Sequence, residues 1–432
     1  MFNYKFAVIY CFILSLSSAH TKTASEKILS MKLNNHPFLT NNFQQNLDIQ
    51  TRSRMTSGNR LKLLPNRESG IGKIKLIDLA KDYVFMSVMT MFCDRGGEEI
   101  TKSLINARKR NVEVFVYVEE LYRKMGVGSK CYKMLKESGV NIGTSRFSTS
   151  RKTRWQLTHD KIMIIDGKHA IIGGQNIMDL NFYATNTNGM YRDTDMLVSG
   201  PSVIDMLHRL VYLWRLSEPN TEKFNSMMDS ALILEKSYRE QKLVVNDYSN
   251  WLKETPPGLC RFVGHDPALE SYSLNSLHKI LIRNAKEKIV IQSPTANMNG
   301  DDTLKELTSD LVFASKNGIE VDFITNGRKG EMLAPTKRIG RWAHHFIGGL
   351  NRKRILKAVK NSNINVWTYN QFIHSKLWVV DDLIVSVGSW NFDHYSSERN
   401  FESTIVCFDE KFATEVGKQL QIDYSNSVLQ KH

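Results

Sequence analysis

The sequence predicts an α/β protein of two similar units, each with a mixed sheet. Three observations carry that expectation. A strand–helix–strand pattern occurs once in each half of the chain, as parallel α/β units require. A long polar stretch ending at the breaker Pro256-Pro257-Gly258 separates the halves. Each half then presents a histidine-headed pair of apolar strands with the same internal spacing.

The chain has 432 residues, 41% of them hydrophobic, which is enough for two domains with cores of their own. Its formal net charge is +14. That excess favours anionic partners such as phospholipid head groups, nucleic acid or other phosphodiesters, but a plain solvated surface fits it equally well.

In chain order, Lys5 precedes an apolar run from Phe6 to Leu16, followed by the small residues Ser17-Ser18-Ala19. This is the layout of a secretory signal peptide over residues 1–19. The run falls short of the roughly 20 residues a membrane span needs. The expectation is a secreted or periplasmic protein, with an uncleaved N-terminal anchor as the alternative. Cys11 lies in the leader, leaving Cys93, Cys131, Cys260 and Cys407. These could form disulfides, but the sequence does not pair them. Cys93 and Cys407 sit in apolar runs, where buried free thiols fit equally well.

Residues 20–60 are polar and Asn-rich and read as a flexible lead-in. A first domain is expected over 61–216. Lys75 to Lys81 reads as a helix end and Tyr83 to Val88 as a strand. Glu98 to Arg110 reads as a helix with Ile100, Leu104, Ile105 and Ala107 on one side, and Val112 to Val118 as a strand. Ser202 to Trp214 closes the unit as a helix. Residues 217–257 read as a helical linker. The second domain, 258–432, repeats the plan. Its helices are Ser276 to Ala285 and Thr303 to Lys316, and its strands Lys288 to Gln292 and Ile319 to Thr325.

The chemistry lies in a duplicated motif. His159, Lys161, Asp166, Gly173 and Asn176 recur with identical spacing as His374, Lys376, Asp381, Gly388 and Asn391. One copy alone is a weak signal, whereas two in register are specific. Residues two apart on a strand share a face, so each His is expected beside its Lys. Gly173 and Gly388 permit a tight turn or close approach to a phosphate. Lys161, Lys376, Asn176, Asn391 and Ser389 supply donors for phosphate oxygens and offset the charge of a transition state. His169, His208, His278 and His394 lack such support and read as structural or surface residues. Asp160 reads as a turn or surface charge, and Trp378 and Trp390 as core or site wall.

The motif pair resembles the phospholipase D superfamily, with its two H-x-K-x4-D-x6-G-S-x-N signatures. The second copy matches in full. The first has Gly174 in place of Ser, as bacterial cardiolipin synthases do, and Tyr191-Arg192-Asp193-Thr194-Asp195 followed by Val198-Ser199-Gly200-Pro201 is similar to that branch. The resemblance covers roughly Leu76 to Phe408. It implies two pseudo-twofold-related α/β/α sandwich domains with the site at their junction. It also implies a two-step, metal-free and cofactor-free reaction, in which His159 is the nucleophile that becomes phosphohistidine and His374 the acid/base. The sequence is symmetric on which His does which. An acidic residue beyond each Asn orients an imidazole: Glu402 in the second half, and Asp193 in the first with Asp195 as runner-up. Asp166 and Asp381 are structural members of the signature.

The function implied is a phospholipase D-type phosphodiesterase or phosphatidyltransferase acting on phospholipids, working as a monomer. A nuclease of the same family is the alternative, although such relatives resemble single-motif dimers and this chain carries both motifs. A tyrosyl-DNA phosphodiesterase is disfavoured because Asp166 and Asp381 are both present. A non-catalytic anionic-lipid-binding protein conflicts with two intact motifs. Basic and apolar residues mingle over 326–354, including Arg328, Lys329, Arg341, Trp342 and Phe346, which suits peripheral contact with anionic membrane.

Overall fold

The computed structural model describes residues 36–145, 156–183, 191–217, 223–244, 248, 257–327 and 353–430. The first half contributes β1 (Met55–Thr56), β2 (Arg60–Pro65), β3 (Tyr83–Val88), β4 (Glu113–Glu119), β5 (Asn141–Ser145), β6 (Ile162–Ile165), β7 (His169–Gly173), β8 (Tyr191–Arg192) and β9 (Thr194–Ser199). The second half contributes β10 (Leu259–His265), β11 (Lys288–Gln292), β12 (Glu320–Asn326), β13 (Ile364–Tyr369), β14 (Phe372–Ile373), β15 (Leu377–Val380), β16 (Ile384–Gly388), β17 (Glu402–Phe408) and β18 (Ser427–Gln430).

One sheet runs β2-β9-β7-β6-β3-β4-β5, the other β1-β10-β17-β16-β15-β11-β12-β13-β18. Without its edge strands β1 and β18, the second order repeats the first strand for strand. In each, the β3-β4-β5 or β11-β12-β13 trio is parallel and the other neighbours are antiparallel. The fold is therefore two related mixed-sheet α/β units, as the duplicated pattern predicts.

Parallel neighbours need a crossover, and helices supply it. The helix Arg95–Lys109 joins β3 to β4. Asp94 caps its first turn by accepting the Gly97 N–H, and Arg108 and Lys109 complement its C-terminal dipole. Ile100, Leu104 and Ala107 bury its inner face. The helix Asp302–Lys316, capped by Asp301, does the same between β11 and β12.

A single hydrophobic cluster holds residues of both sheets. Phe85, Ile162 and Ile164 lie in it with Val290, Val379 and Ile405. The inward faces of the helices Ser202–Ser217 (Leu210, Trp214) and Glu410–Ser425 (Phe412, Val416) belong to the same cluster. Burial of this common apolar surface fixes one unit against the other, and the two histidine motifs converge at that seam.

Two sequence expectations differ from what folds. The lead-in expected to be flexible is ordered over its described part. The 3-10 turn Pro37–Leu39, the helix Asn41–Thr51 and β1 pack Phe38, Phe43, Leu47 and Met55 into the outer core of the second unit. Fully buried Arg261 on β10 reaches back to Asp48 Oδ1 at 2.6 Å and anchors the segment. The four cysteines are not free thiols but form the disulfides Cys93–Cys131 and Cys260–Cys407, the latter joining residues paired across β10 and β17. Residues 1–35, which hold the expected leader, and the basic-apolar stretch 328–352 lie outside the described residues.

Candidate active site

His159 and Lys161 lie in the extended segment immediately before β6, and His374 and Lys376 in the one before β15, rather than inside the strands. The backbone of each segment is pinned to the opposite half. His159 N–H donates to Phe401 O (2.9 Å), and His374 N–H to Arg192 O (2.7 Å). Thr158 bridges Phe401, and β8 pairs with β14 so that Ile373 faces Arg192. Glu119 accepts the Thr158 N–H at 2.8 Å, and Asn326 brackets Ile373 through its N–H and C=O. Each histidine thus sits beside the residue that precedes the other half's orienting carboxylate.

The side chains pair across the seam accordingly. His159 Nδ1 lies 2.8 Å from Glu402 Oε2, and His374 Nδ1 lies 2.8 Å from Asp193 Oδ2. Facing a carboxylate that accepts, His159 Nδ1 carries the proton and its Nε2 keeps the lone pair, whereas His374 Nδ1 meets both Asp193 Oδ2 and, at 2.9 Å, Lys376 Nζ. Glu402 is held in turn by Ser396 Oγ (2.6 Å), Asn400 Nδ2 (3.2 Å) and the Ser389 hydroxyl. Asp193 accepts the Thr194 N–H (2.8 Å). Asp195, the runner-up, points elsewhere: it forms a buried ion pair with Lys73 and accepts from Ser69.

Two buried lysines concentrate positive charge beside the histidines. Lys161 and Lys376 are both buried, and Lys376 lies near enough to lower the proton affinity of Lys161. Burial and Lys376 push Lys161 down, while burial pushes Lys376 down to about 8 against the pull of Asp193 and Glu402. Burial and Lys376 also hold His374 down at about 4, and burial with Lys161 and Lys376 pushes His159 well down. Burial raises Glu402, whereas His374 and Lys376 hold Asp193 low despite its burial. A phosphate between the lysines would relieve their repulsion and restore their protons.

The remaining motif residues divide by role. Asp166 and Asp381 sit at positive φ in hairpin turns. Asp166 accepts the N–H groups of Lys81, Asp82 and Tyr83, and Asp381 those of Lys286, Glu287 and Lys288. Both carboxylates therefore tie a hairpin to the start of the central strand. Neither Gly173 nor Gly388 has positive φ, and neither makes a tight turn. A Cβ at Gly173 would strike Asp195 and Thr194 on β9, and one at Gly388 would strike Thr404 and Ser403 on β17. Close approach to a neighbouring strand, rather than to phosphate, demands glycine there. Ser389, expected on the phosphate, instead spends its hydroxyl on Glu402 and the Ser403 N–H. Asn176 Oδ1 accepts from Thr90 N–H (3.4 Å), which turns its amide hydrogens the other way.

Sequence reasoning missed Glu119, Asn326, Ser396 and Asn400. It also misread Asp160, which is fully buried and paired with Arg209 (3.2 Å). Buried His278 stacks on Trp378 and lies tilted against Trp390, each 4.3 Å away, as packing. His169 and His394 bond Ser199 and Asp301 near the surface.

The family described as "Cardiolipin synthase, PLD-like domain" matches residues 74–204 and 279–424. Cardiolipin synthase 1 of Staphylococcus epidermidis is 26% identical over 87% of this chain and 70% of its own length. Cardiolipin synthase A of Pseudomonas aeruginosa is 23% identical over 88% and 69%. Among solved structures, the phosphatidylserine synthase of Haemophilus influenzae superposes with a TM-score of 0.67 at 14% identity, covering 90% of this chain and 92% of its own. The likeness to cardiolipin synthases overturns the expectation of a secreted or periplasmic protein. Among the described residues no helix is long and apolar enough to cross a membrane. With both matched segments carrying one histidine motif each, the chain belongs to the phospholipase D-like family of the cardiolipin synthase type and is an enzyme of that phosphodiesterase and transferase class.

Proposed function

We propose that the chain transfers a phosphatidyl group from one phospholipid to an alcohol through a phosphohistidine. His159 Nε2 attacks phosphorus while the bond to the head-group oxygen breaks. His374 Nε2–H protonates that oxygen as it leaves. His374 then takes the proton of an incoming hydroxyl, whose oxygen attacks phosphorus and releases His159. Lys161, Lys376, Asn176 and Asn391 carry the phosphoryl oxygens. The relatives named cardiolipin synthase favour a lipid alcohol as acceptor, with hydrolysis when water takes its place.

The reading rests on one arrangement: two His–carboxylate pairs, each built across the seam, with a buried lysine beside each histidine. The depressed proton affinity of His374 in the empty site fits a general acid that charges only when an anion arrives. The basic and apolar stretch 326–354 is proposed to contact anionic membrane.

Liposomes containing labelled phospholipid test this. Head-group release, or transfer to an added alcohol, is expected. It should be abolished by His159→Ala and by His374→Ala. Cleavage of DNA or RNA without lipid turnover would replace this reading with the nuclease one.

A further inference from the structure

Each orienting carboxylate has a backbone carbonyl held by a buried arginine, and the two arrangements are related across the seam. Arg192 Nη1 donates to Asp193 O and, at 2.8 Å, to Thr194 Oγ1. Arg209 Nη2 donates to Glu402 O at 3.2 Å. Each guanidinium is anchored by carboxylates on its far side. Arg192 forks onto Asp423, with Nε–Oδ1 at 2.6 Å and Nη2–Oδ2 at 2.7 Å. Asp423 lies on the helix Glu410–Ser425 of the second half and also accepts from Gln292 and Gln419. Arg209, on the helix Ser202–Ser217 of the first half, bonds Asp160 and reaches Asp266 beyond β10. The last helix of each unit thus takes part in a buried ion pair that crosses to the other unit.

These contacts lie close to both histidines. Arg192 O accepts the His374 N–H, and Thr194 Oγ1, which Arg192 holds, accepts from Ser375 Oγ at 2.9 Å. Asp160, which Arg209 holds, adjoins His159 in the chain. Arg192 precedes Asp193 as Phe401 precedes Glu402, and Arg209 lies over the Phe401 ring at 5.9 Å. Only a fork can grip a carboxylate on one side and a carbonyl on the other at fixed spacing.

We propose that Arg192 and Arg209 are positioning residues, Arg192 for the His374–Asp193 pair and Arg209 for the His159–Glu402 pair. Neither is placed to touch phosphate. Each sets the register of one carboxylate against its imidazole. The assignment of both pairs to catalysis rests on the function proposed above. The positioning itself is a statement about geometry that can be read without turnover.

The test uses the full chain with 13C-labelled histidine side chains, titrated by NMR. The charged groups facing His374 are Asp193, Lys376 and Lys161, and those facing His159 are Glu402, Lys161, Lys376 and Asp160. In Arg192→Lys, Asp193 loses its fixed place, so the His374 titration should move to lower pH while that of His159 holds. In Arg209→Lys the reverse is expected. Asp423→Asn and Asp266→Asn act on the same two forks from their outer ends and serve if a lysine variant does not fold. In lipid turnover, Arg192→Lys should lower kcat about 10²-fold, as a displacement near 1 Å does. KM should change little, and the alkaline limb of the rate profile should move toward acid. Unchanged titrations, or both histidines moving together in every variant, would overturn the proposal. If the unmodified protein turned over no lipid, the function would fall while the titrations still judged the arginines.

Discussion

His159 Nδ1 lies 2.8 Å from Glu402 Oε2, although the two residues stand 243 positions apart and belong to opposite halves of the chain. His374 and Asp193 repeat the relationship in the other direction. Neither half holds a complete histidine–carboxylate pair, so the seam between the sheets is a condition of the site.

Glu402→Gln should disable His159 with little change in fold. The Gln amide would meet the donors Ser389, Ser396 and Asn400 and present the wrong partner to Nδ1–H. Formation of the phosphoryl-enzyme should fall about 10²- to 10⁴-fold, measured by rapid quench with labelled lipid. Asp193→Asn should act on His374 in the same way.

Gly174 stands where the second copy has Ser389, and a Cβ there would strike Asp193 Oδ1. The shorter carboxylate of the first half needs that space. Gly174→Ala should lower activity at least about tenfold and cost about 1–3 kcal/mol by overpacking, read from kcat and Tm. Ser389→Ala, which removes a donor to Glu402 and the acceptor of the buried Ser403 N–H without a clash, should lower activity and cost about 1–3 kcal/mol through lost hydrogen bonds.

Anion binding should weaken as pH rises. Lys161 is pushed down to about 7 and Lys376 to about 8, and an anion binds the protonated pair best. Calorimetric titration with sulfate, whose charge is constant over this range, should show affinity falling through pH 7–9. In Lys376→Ala affinity should be low throughout and the slope shallower.

Asp381 acts on stability. Burial alone would raise its pKa, but His36 and the N–H groups of Lys288, Glu287 and Lys286 lower it. A depressed folded-state pKa contributes stability above the unfolded value near 4, and that stability is lost as pH falls through the folded value. Asp381→Asn should lose about 1–3 kcal/mol at neutral pH. It should also show a flatter loss of stability below pH 4 in denaturant titrations.

The duplicated motif and the main strands were legible because they are local: His-x-Lys spacing, apolar runs such as Tyr83 to Val88, and the 3.6-residue periodicity around Leu104. What the sequence hid is relational. Nothing near His159 announces that its carboxylate comes from Glu402, since the crossing is set by the Thr158–Phe401 and Ile373–Arg192 backbone pairings. Gly173 and Gly388 read as turn residues until the closeness of β9 and β17 is known. Ser389 read as a phosphate donor until Glu402 is seen to take its hydroxyl. The order in 36–56 had a faint signal, Phe43 and Leu47 four apart in an otherwise polar run. The disulfides required the β10–β17 register and the meeting of Cys93 with the helix Ser129–Glu137.

Crystals grown with orthovanadate test the central claim most directly. The account predicts one vanadium bound to an Nε2 of one histidine, with the other imidazole on its opposite face and Lys161 and Lys376 on its equatorial oxygens. Vanadate bound away from either ring, or two ions each served by one histidine, would contradict it.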